Sequence, residues 1–238
     1  MILFYVRHGN PIYAPDQLTP LGRRQAEALA KRLAVYGLDR IYSSTSGRAI
    51  QTAEPTCELL QKKMTLLDFA HERYAGRDLN ITHPDGRRGW VFDFPDIMHK
   101  ILERRISDPD EPWDTLPEIK EYNLSRGVER IAEDSDKFLL SLGYEHIKGT
   151  GFYKVIKPNN ERVALFAHAG FGIAFLSSIL DIPYPEFSTH FDLSHSSLTL
   201  IEFREVNGYT APKVCTFSSD SHLYREGLPT EYNFRFKY

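Results

Sequence analysis

Ile2-Leu3-Phe4-Tyr5-Val6-Arg7-His8-Gly9 decides the reading of this chain. Five apolar residues, β-branched and aromatic among them, predict a strand buried on both faces. The strand ends abruptly in a guanidinium, an imidazole and a glycine. In open α/β sheets, ligands bind beyond the carboxyl ends of the strands, so these side chains are expected on the floor of a site. Arginine offers a planar fork of donors that matches a phosphate. A histidine beside it can act as base or nucleophile. Gly9 lets the backbone approach a ligand closely.

Composition narrows the function classes. With 42% hydrophobic and 26% charged residues, the 238-residue chain reads as one ordinary globular domain, residues 1–238. A net charge of −3 gives no electrostatic reason to expect nucleic acid or an acidic membrane as partner. Cys57 and Cys215 stand far apart, so neither a disulfide framework nor a cysteine metal cluster is expected. The first apolar run lacks a basic flank and is cut short by Arg7, unlike a signal peptide. No stretch is long enough to span a bilayer. A reducing, cytoplasmic setting is the expectation.

Strand and helix alternate outward from the first strand. Thr19-Pro20 opens a helix as N-cap and first-turn residues, and Ala26, Leu29, Ala30 and Leu33 give it one apolar stripe before Gly37. Asp39 to Ser43 reads as a second strand, followed by a helix from about Ser46 to Lys62 with an interruption at Pro55. Met64 to Phe69 reads as a third strand. This βαβαβ order implies a parallel sheet with right-handed crossovers. From His83 to Pro117 the chain turns rich in Pro, Asp and Arg, as an inserted lid would. The amphipathic helix marked by Leu124, Val128, Ile131, Phe138 and Leu142 follows, so a cap insertion is expected at about 83–150. Phe152 to Ile156 and Arg162 to Phe166 resemble two strands around a turn. Ser197 to Phe203 and Pro212 to Phe217 read as late, antiparallel strands around Asn207-Gly208.

Three further positions share the character of the opening junction. Arg48 starts a helix just beyond the second strand, where free N–H groups attract anions. His168 ends the apolar strand Val163-Ala164-Leu165-Phe166-Ala167. Glu72 follows the third strand directly, where a carboxyl group can serve as acid.

Arg7-His8-Gly9, Leu18-Thr19-Pro20-Leu21-Gly22, Ser43-Ser44 through Arg48-Ala49 to Thr52-Ala53, and a late His168 together resemble the histidine phosphatase superfamily, also called phosphoglycerate-mutase-like. The resemblance runs in order along most of the chain and is weakest in the inserted middle. It implies a three-layer α/β/α sandwich with a mostly parallel mixed sheet and a cap. It also implies a phosphohistidine intermediate, with no metal and no nucleotide cofactor. Residue by residue, His8 matches the nucleophile, Arg7 and Arg48 the phosphate clamp, and His168 the second histidine, expected protonated against the phosphate. Glu72 resembles the acid of a Glu-Arg-x-Tyr-Gly motif, from which this chain departs by placing Ala75 before Gly76. Asp68 and Asp85 stand in reserve. Asn10 and Tyr13 of the first loop, and Arg87 or Arg88 of the lid, are candidate substrate contacts.

The implied activity is hydrolysis of a small phosphomonoester. The mutases of the family carry an extended polar segment after their first histidine, whereas Asn10-Pro11-Ile12-Tyr13 here leads quickly to Leu18. A mutase-type phosphoryl transferase and a silent phospho-ligand-binding module are the alternatives. Cysteine-dependent chemistry is disfavoured because neither cysteine has an arginine six positions on. Asp108-Pro109-Asp110 follows no apolar strand, Phe175 spoils a dinucleotide loop at Gly170-Phe171-Gly172, and the histidines lack metal-ligand spacing. The lid residues Arg87, Arg88, Trp90, Phe92 and Phe94 suit an anionic or ring-bearing leaving group. Oligomeric state is not legible.

Overall fold

The computed structural model describes residues 1–233. From the start the chain forms β1 (Ile2–Arg7), a two-residue ladder of β2 (Pro11–Ile12) with β3 (Gln17–Leu18), α1 (Pro20–Tyr36), β4 (Arg40–Ser44), α2 (Gly47–Leu60) and β5 (Met64–Leu67). Next come α3 (Glu72–Leu79), a hairpin of β6 (Asn80–Thr82) and β7 (Arg88–Trp90), α4 (Pro95–Ser107) and α5 (Leu124–Ser141). The last part comprises β8 (Tyr144–Ile147), β9 (Phe152–Val155), β10 (Arg162–Ala167), α6 (Ala169–Ile179), α7 (Tyr184–His190), β11 (Leu198–Glu202), β12 (Tyr209–Thr210), β13 (Lys213–Ser219) and α8 (Ser221–Arg225).

Six strands form the central sheet in the order β13-β11-β1-β10-β4-β5. β1, β10, β4 and β5 are parallel; β11 alone runs antiparallel, between β1 and β13, so β13 again has the direction of β1. Side chains alternate between the faces, as strand geometry requires. Phe4, Val6, Ala164 and Phe166 pack on Leu29, Leu33 and Ala53 of α1 and α2. Leu3, Tyr5, Val163 and Leu165 face the other way, with Phe171, Phe175 and Phe138 of α6 and α5. The sheet is thus sandwiched between two helical layers, the mixed α/β architecture expected.

The register of β1 with β10 prepares the site. Ile2 pairs with Arg162 and the ladder runs on to Arg7 beside Ala167. The His8 N–H then donates to the Ala167 carbonyl at 3.0 Å, so His8 and His168 leave the sheet side by side.

Local signals account for most boundaries. The Thr19 hydroxyl accepts from the Gly22 N–H at 3.0 Å with Pro20 in the first turn, and Gly37 closes α1 at φ 67°. Helix α2 is not interrupted at Pro55 but runs from Gly47 to Leu60. The buried stripe Ala49, Thr52, Ala53 and Thr56 holds it in place against a proline cost of roughly 3 kcal/mol. The third strand stops at Leu67, and Asp68–Ala70 form a 3-10 turn.

Two pairings differ from expectation. β9 and β10 do not form a hairpin: β9 joins a separate sheet of order β12-β9-β8. Burial explains the split, because β10 is buried from Val163 to Ala167 while β9 alternates exposed and buried residues. A one-faced strand suits a small peripheral sheet, and a two-faced one needs neighbours and helices on both sides. β11 and β13 are antiparallel as expected, but the left-handed pair Asn207-Gly208 turns the chain into β12, which pairs with β9. In the middle of the chain, Phe138 of α5 packs edge-on against Tyr42 of β4 at 5.1 Å, so α5 shares the layer of α6. No helix among the described residues is long and apolar enough to cross a membrane.

Candidate active site

His8 is held by its backbone neighbours in one tautomer. The Gly9 carbonyl lies 2.7 Å from Nδ1 and can only accept, so Nδ1 carries the proton and Nε2 keeps its lone pair. The Arg48 Nε–H donates to that lone pair at 3.2 Å. Burial drives the His8 pKa well below the ordinary imidazole value, and the charges of His168, Arg7 and Arg48 add to it. The ring is therefore a neutral base with its free nitrogen towards the cation. Close packing around Gly9 fixes this corner: a Cβ there would lie 2.8 Å from the Gly22 carbonyl oxygen, and one at Gly22 only 2.2 Å from that of Asn10.

The two arginines are held in opposite ways. Arg48 Nη1 pairs with Asp16 Oδ1 at 2.7 Å. The same carboxylate accepts from the Ser46 hydroxyl at 2.7 Å and the Gly47 N–H at 2.8 Å, capping α2. Burial raises the Asp16 pKa, but the bonds from Ser46, Arg48 and Gly47 outweigh it and hold the carboxyl below its ordinary value. A cation in a helix's first turn is thus neutralised, and the anion expected on these N–H groups is the protein's own. Arg7, only 4% exposed, has no carboxylate bonded to it among the described residues. It donates to the Leu193 carbonyl, to Asn233 Oδ1 at 2.8 Å and to His195 Nε2 at 2.9 Å. Burial, with the charges of Arg7 and Arg48, lowers the His195 pKa to about 3, so it serves as a neutral acceptor. Arg7 thus has neutral hydrogen-bond partners, while the Asp192 and Glu72 carboxylates act on its charge from further off.

His168 is fully buried with its ring edge-on to His8, centroids 5.2 Å apart. Its Nε2 lies 2.9 Å from the Ser44 hydroxyl, and its Nδ1 is buried without a partner. Burial first, then Arg48, His71 and Arg7, push its pKa well below the ordinary value. Burial and these cations favour the neutral ring, so the protonated form expected against a phosphate would need the anion's own charge. Glu72 accepts from the Gly170 and Phe171 N–H groups at 2.9 and 2.8 Å, at the N-terminus of α6. Desolvation nevertheless raises its carboxyl above the ordinary range, against those two bonds and the Arg48 and Arg7 charges.

Arg7, His8, Arg48, Glu72 and Tyr13 share one cavity of about 740 Å³, walled further out by Trp90, Phe92, Asp93 and the stretch Ser188 to Asp192. A model of the histidine phosphatase superfamily (branch 1) matches residues 3–123, just over half of the chain. The chain belongs to that superfamily. Arg7, His8, Arg48 and Glu72 lie within the matched stretch, and His168 lies beyond it. Solved structures of similar fold include phosphoserine phosphatase from Entamoeba histolytica in complex with phosphoserine, 21% identical, with TM-score 0.58 over 93% of this chain and 98% of that one. Mycobacterial glucosyl-3-phosphoglycerate phosphatase is 18% identical, with TM-score 0.57 over 92% and 98%. No curated protein matches the sequence.

Not every expected residue reaches the cavity. Tyr13 does, with the Arg48 guanidinium 5.3 Å from its ring centre. Asn10 does not line it: the side chain accepts from the Thr19 hydroxyl at 2.6 Å and donates to Glu231, pinning the loop to α1 and the C-terminal segment. Arg87 turns away to pair with Asp85 and stack on Phe94, and neither it nor Arg88 lines the cavity. The reserve carboxylates are elsewhere too, Asp68 with Thr45 and Tyr74, Asp85 with His83 and Arg87. Trp90 is seated on the α6 N-terminus, where a Cβ at Gly170 would meet its ring at 2.2 Å. Asp16, His195 and Asn233 carry no signal in the sequence. Ser44 stands in the Ser43-Ser44 motif, which assigns it no role there.

A second cavity of about 610 Å³, beside the start of α5, mixes Arg77, Arg126 and Arg130 with Asp78, Glu129 and Glu133 and is lined by no described histidine, serine or cysteine. Among the described residues no three His, Cys, Asp or Glu side chains are grouped to hold a metal ion.

Proposed function

We propose that this protein is a phosphomonoester hydrolase that uses His8 as nucleophile and Glu72 as acid and base. The observation carrying this reading is the tautomer of His8: Nδ1–H is committed to Gly9, and the Nε2 lone pair faces Arg48 in a cavity shared with a carboxyl of raised pKa. The phosphatase folds it resembles, and its membership of the superfamily, agree with that reading.

The steps follow from these groups. An entering phosphoryl group draws Arg48 from His8 Nε2 and collects donors from Arg7 and Arg48, the main stabilisation in phosphoryl transfer. The dianion favours the charged form of His168, so that ring gains its proton on binding rather than before it. His8 Nε2 bonds to phosphorus as the phosphorus–oxygen bond to the leaving group breaks, and Glu72 gives its proton to the departing alkoxide. The Gly9 carbonyl supports the positive charge of the phosphorylated ring through Nδ1–H. Water then attacks phosphorus, Glu72 takes its proton, the nitrogen–phosphorus bond breaks and neutral His8 returns. The loop between β2 and β3 is short and carries no extended polar segment of the kind the resemblance assigns to the mutases, which favours water over transfer to another substrate.

Release of inorganic phosphate from p-nitrophenyl phosphate tests the activity. Turnover that survives excess EDTA is expected. No release, or release lost to EDTA and restored by Mg²⁺ or Zn²⁺, would overturn the reading.

A further inference from the structure

The cavity is divided by charge. At its floor lie Arg7 and Arg48, and no other lysine or arginine lines it among the described residues. Its outer wall carries two carboxylates, Asp93 and Asp192, and neither is in an ion pair with a described residue. Asp93 uses one oxygen to accept from the Trp90 N–H at 3.1 Å, and Asp192 uses one for Leu193 and Asn233. Each keeps its other oxygen without a described partner. Burial raises the Asp93 pKa, and the Asp192 charge raises it further, as two like charges facing one space would. The same cavity has aromatic walls, Trp90 and Phe92 stacked at 5.7 Å with nearly parallel rings and Phe191 lining the same space.

We propose that this outer half is an ammonium subsite, taking phosphomonoesters whose leaving alcohol carries a positively charged amine and disfavouring those whose alcohol carries a carboxylate. The proposal rests on the phosphatase reading above and refines it. Two carboxylates with spare oxygens offer acceptors and charge to an ammonium, and aromatic faces attract cations through their quadrupole. Among the described residues a substrate carboxylate would find no lysine or arginine beyond the two that hold the phosphoryl group, only His190, and would meet Asp93 and Asp192 as like charges. The cavity, at about 740 Å³, has room for such a group beyond the phosphoryl position. This replaces the anionic leaving group expected from Arg87 and Arg88, which lie outside the cavity.

The test compares kcat/KM of the wild-type protein for phosphoethanolamine, glycerol 3-phosphate and phosphoglycolate, alkyl esters bearing an amine, hydroxyls and a carboxylate. The expected order is amine, then hydroxyl, then carboxylate, with about 10-fold or more between the first and last. In the Asp93→Asn/Asp192→Asn variant that ratio should fall several-fold, and raised salt should shrink it in the wild type. If phosphoglycolate is turned over as well as phosphoethanolamine while p-nitrophenyl phosphate is hydrolysed, the subsite is wrong and the phosphatase reading stands. If p-nitrophenyl phosphate is not hydrolysed either, the phosphatase reading itself fails. A ratio unchanged in a folded double variant would also overturn the subsite.

Discussion

Arg7 Nη2 lies 2.9 Å from His195 Nε2, so the guanidinium leans on a ring that burial keeps neutral. Its counterpart Arg48 is paired with Asp16. The cavity floor thus holds one cation paired directly with a carboxylate and one whose hydrogen-bond partners are neutral, with Asp192 and Glu72 acting on it from further off. A neutral acceptor fixes direction without cancelling charge, which a phosphoryl dianion needs.

His195 is accordingly a positioning residue whose effect depends on what replaces it. His195→Gln keeps an acceptor and should stay within a few-fold of wild-type kcat/KM. His195→Phe should lose about 10- to 100-fold, the rate equivalent of a hydrogen bond to a charged group. His195→Asp supplies an acceptor but neutralises Arg7, and should raise KM more than His195→Gln does. Steady-state kinetics on p-nitrophenyl phosphate would refute the relationship if the three variants behaved alike.

Glu72 carries a prediction about leaving groups. An acid matters most for a poor leaving group such as an alkyl alkoxide and least for an activated phenolate. Glu72→Gln should slow alkyl phosphates at least about 10-fold more than p-nitrophenyl phosphate. Arg48→Ala should slow both alike, since each presents the same phosphoryl oxygens. Equal slowing by Glu72→Gln would remove Glu72 from the acid role.

Away from the cavity, His146 bridges Asp136 at 2.7 Å and Asp181 at 3.0 Å, joining β8 to α5 and to the end of α6. Burial lowers its pKa, but the two carboxylates outweigh this and the net shift is upward. A folded pKa above the unfolded one means stability that is present in full below about pH 6.5 and lost as pH rises through the folded value. Thermal melts of the wild type and His146→Gln should differ most near pH 6 and converge at alkaline pH. A gap that widens with pH would contradict the bridge.

Sequence reasoning reached the residues that strands and helix starts deliver. β1 and β10 are marked by continuous apolar runs, and their parallel register brings His8 and His168 together without further information. Arg48 and Glu72 follow strand ends in the same way. The supports were hidden because loops deliver them across long sequence distances. Asp16 reaches Arg48 from a turn, and His195 and Asn233 reach Arg7 from the far end of the chain. In sequence such residues look like solvated loop polars. The lid misled for the opposite reason: its arginines are conspicuous, yet Asp85 takes up Arg87, and Asp93 faces the cavity instead.

The central claim is a covalent bond between phosphorus and His8 Nε2. Mixing the protein with ³²P-labelled phosphomonoester, quenching in alkali and mapping the labelled peptide tests it most directly. The account predicts an acid-labile, alkali-stable label on the peptide containing His8, and no label or turnover in a folded His8→Ala variant. Undiminished turnover in that variant, or label on any other residue, would contradict it.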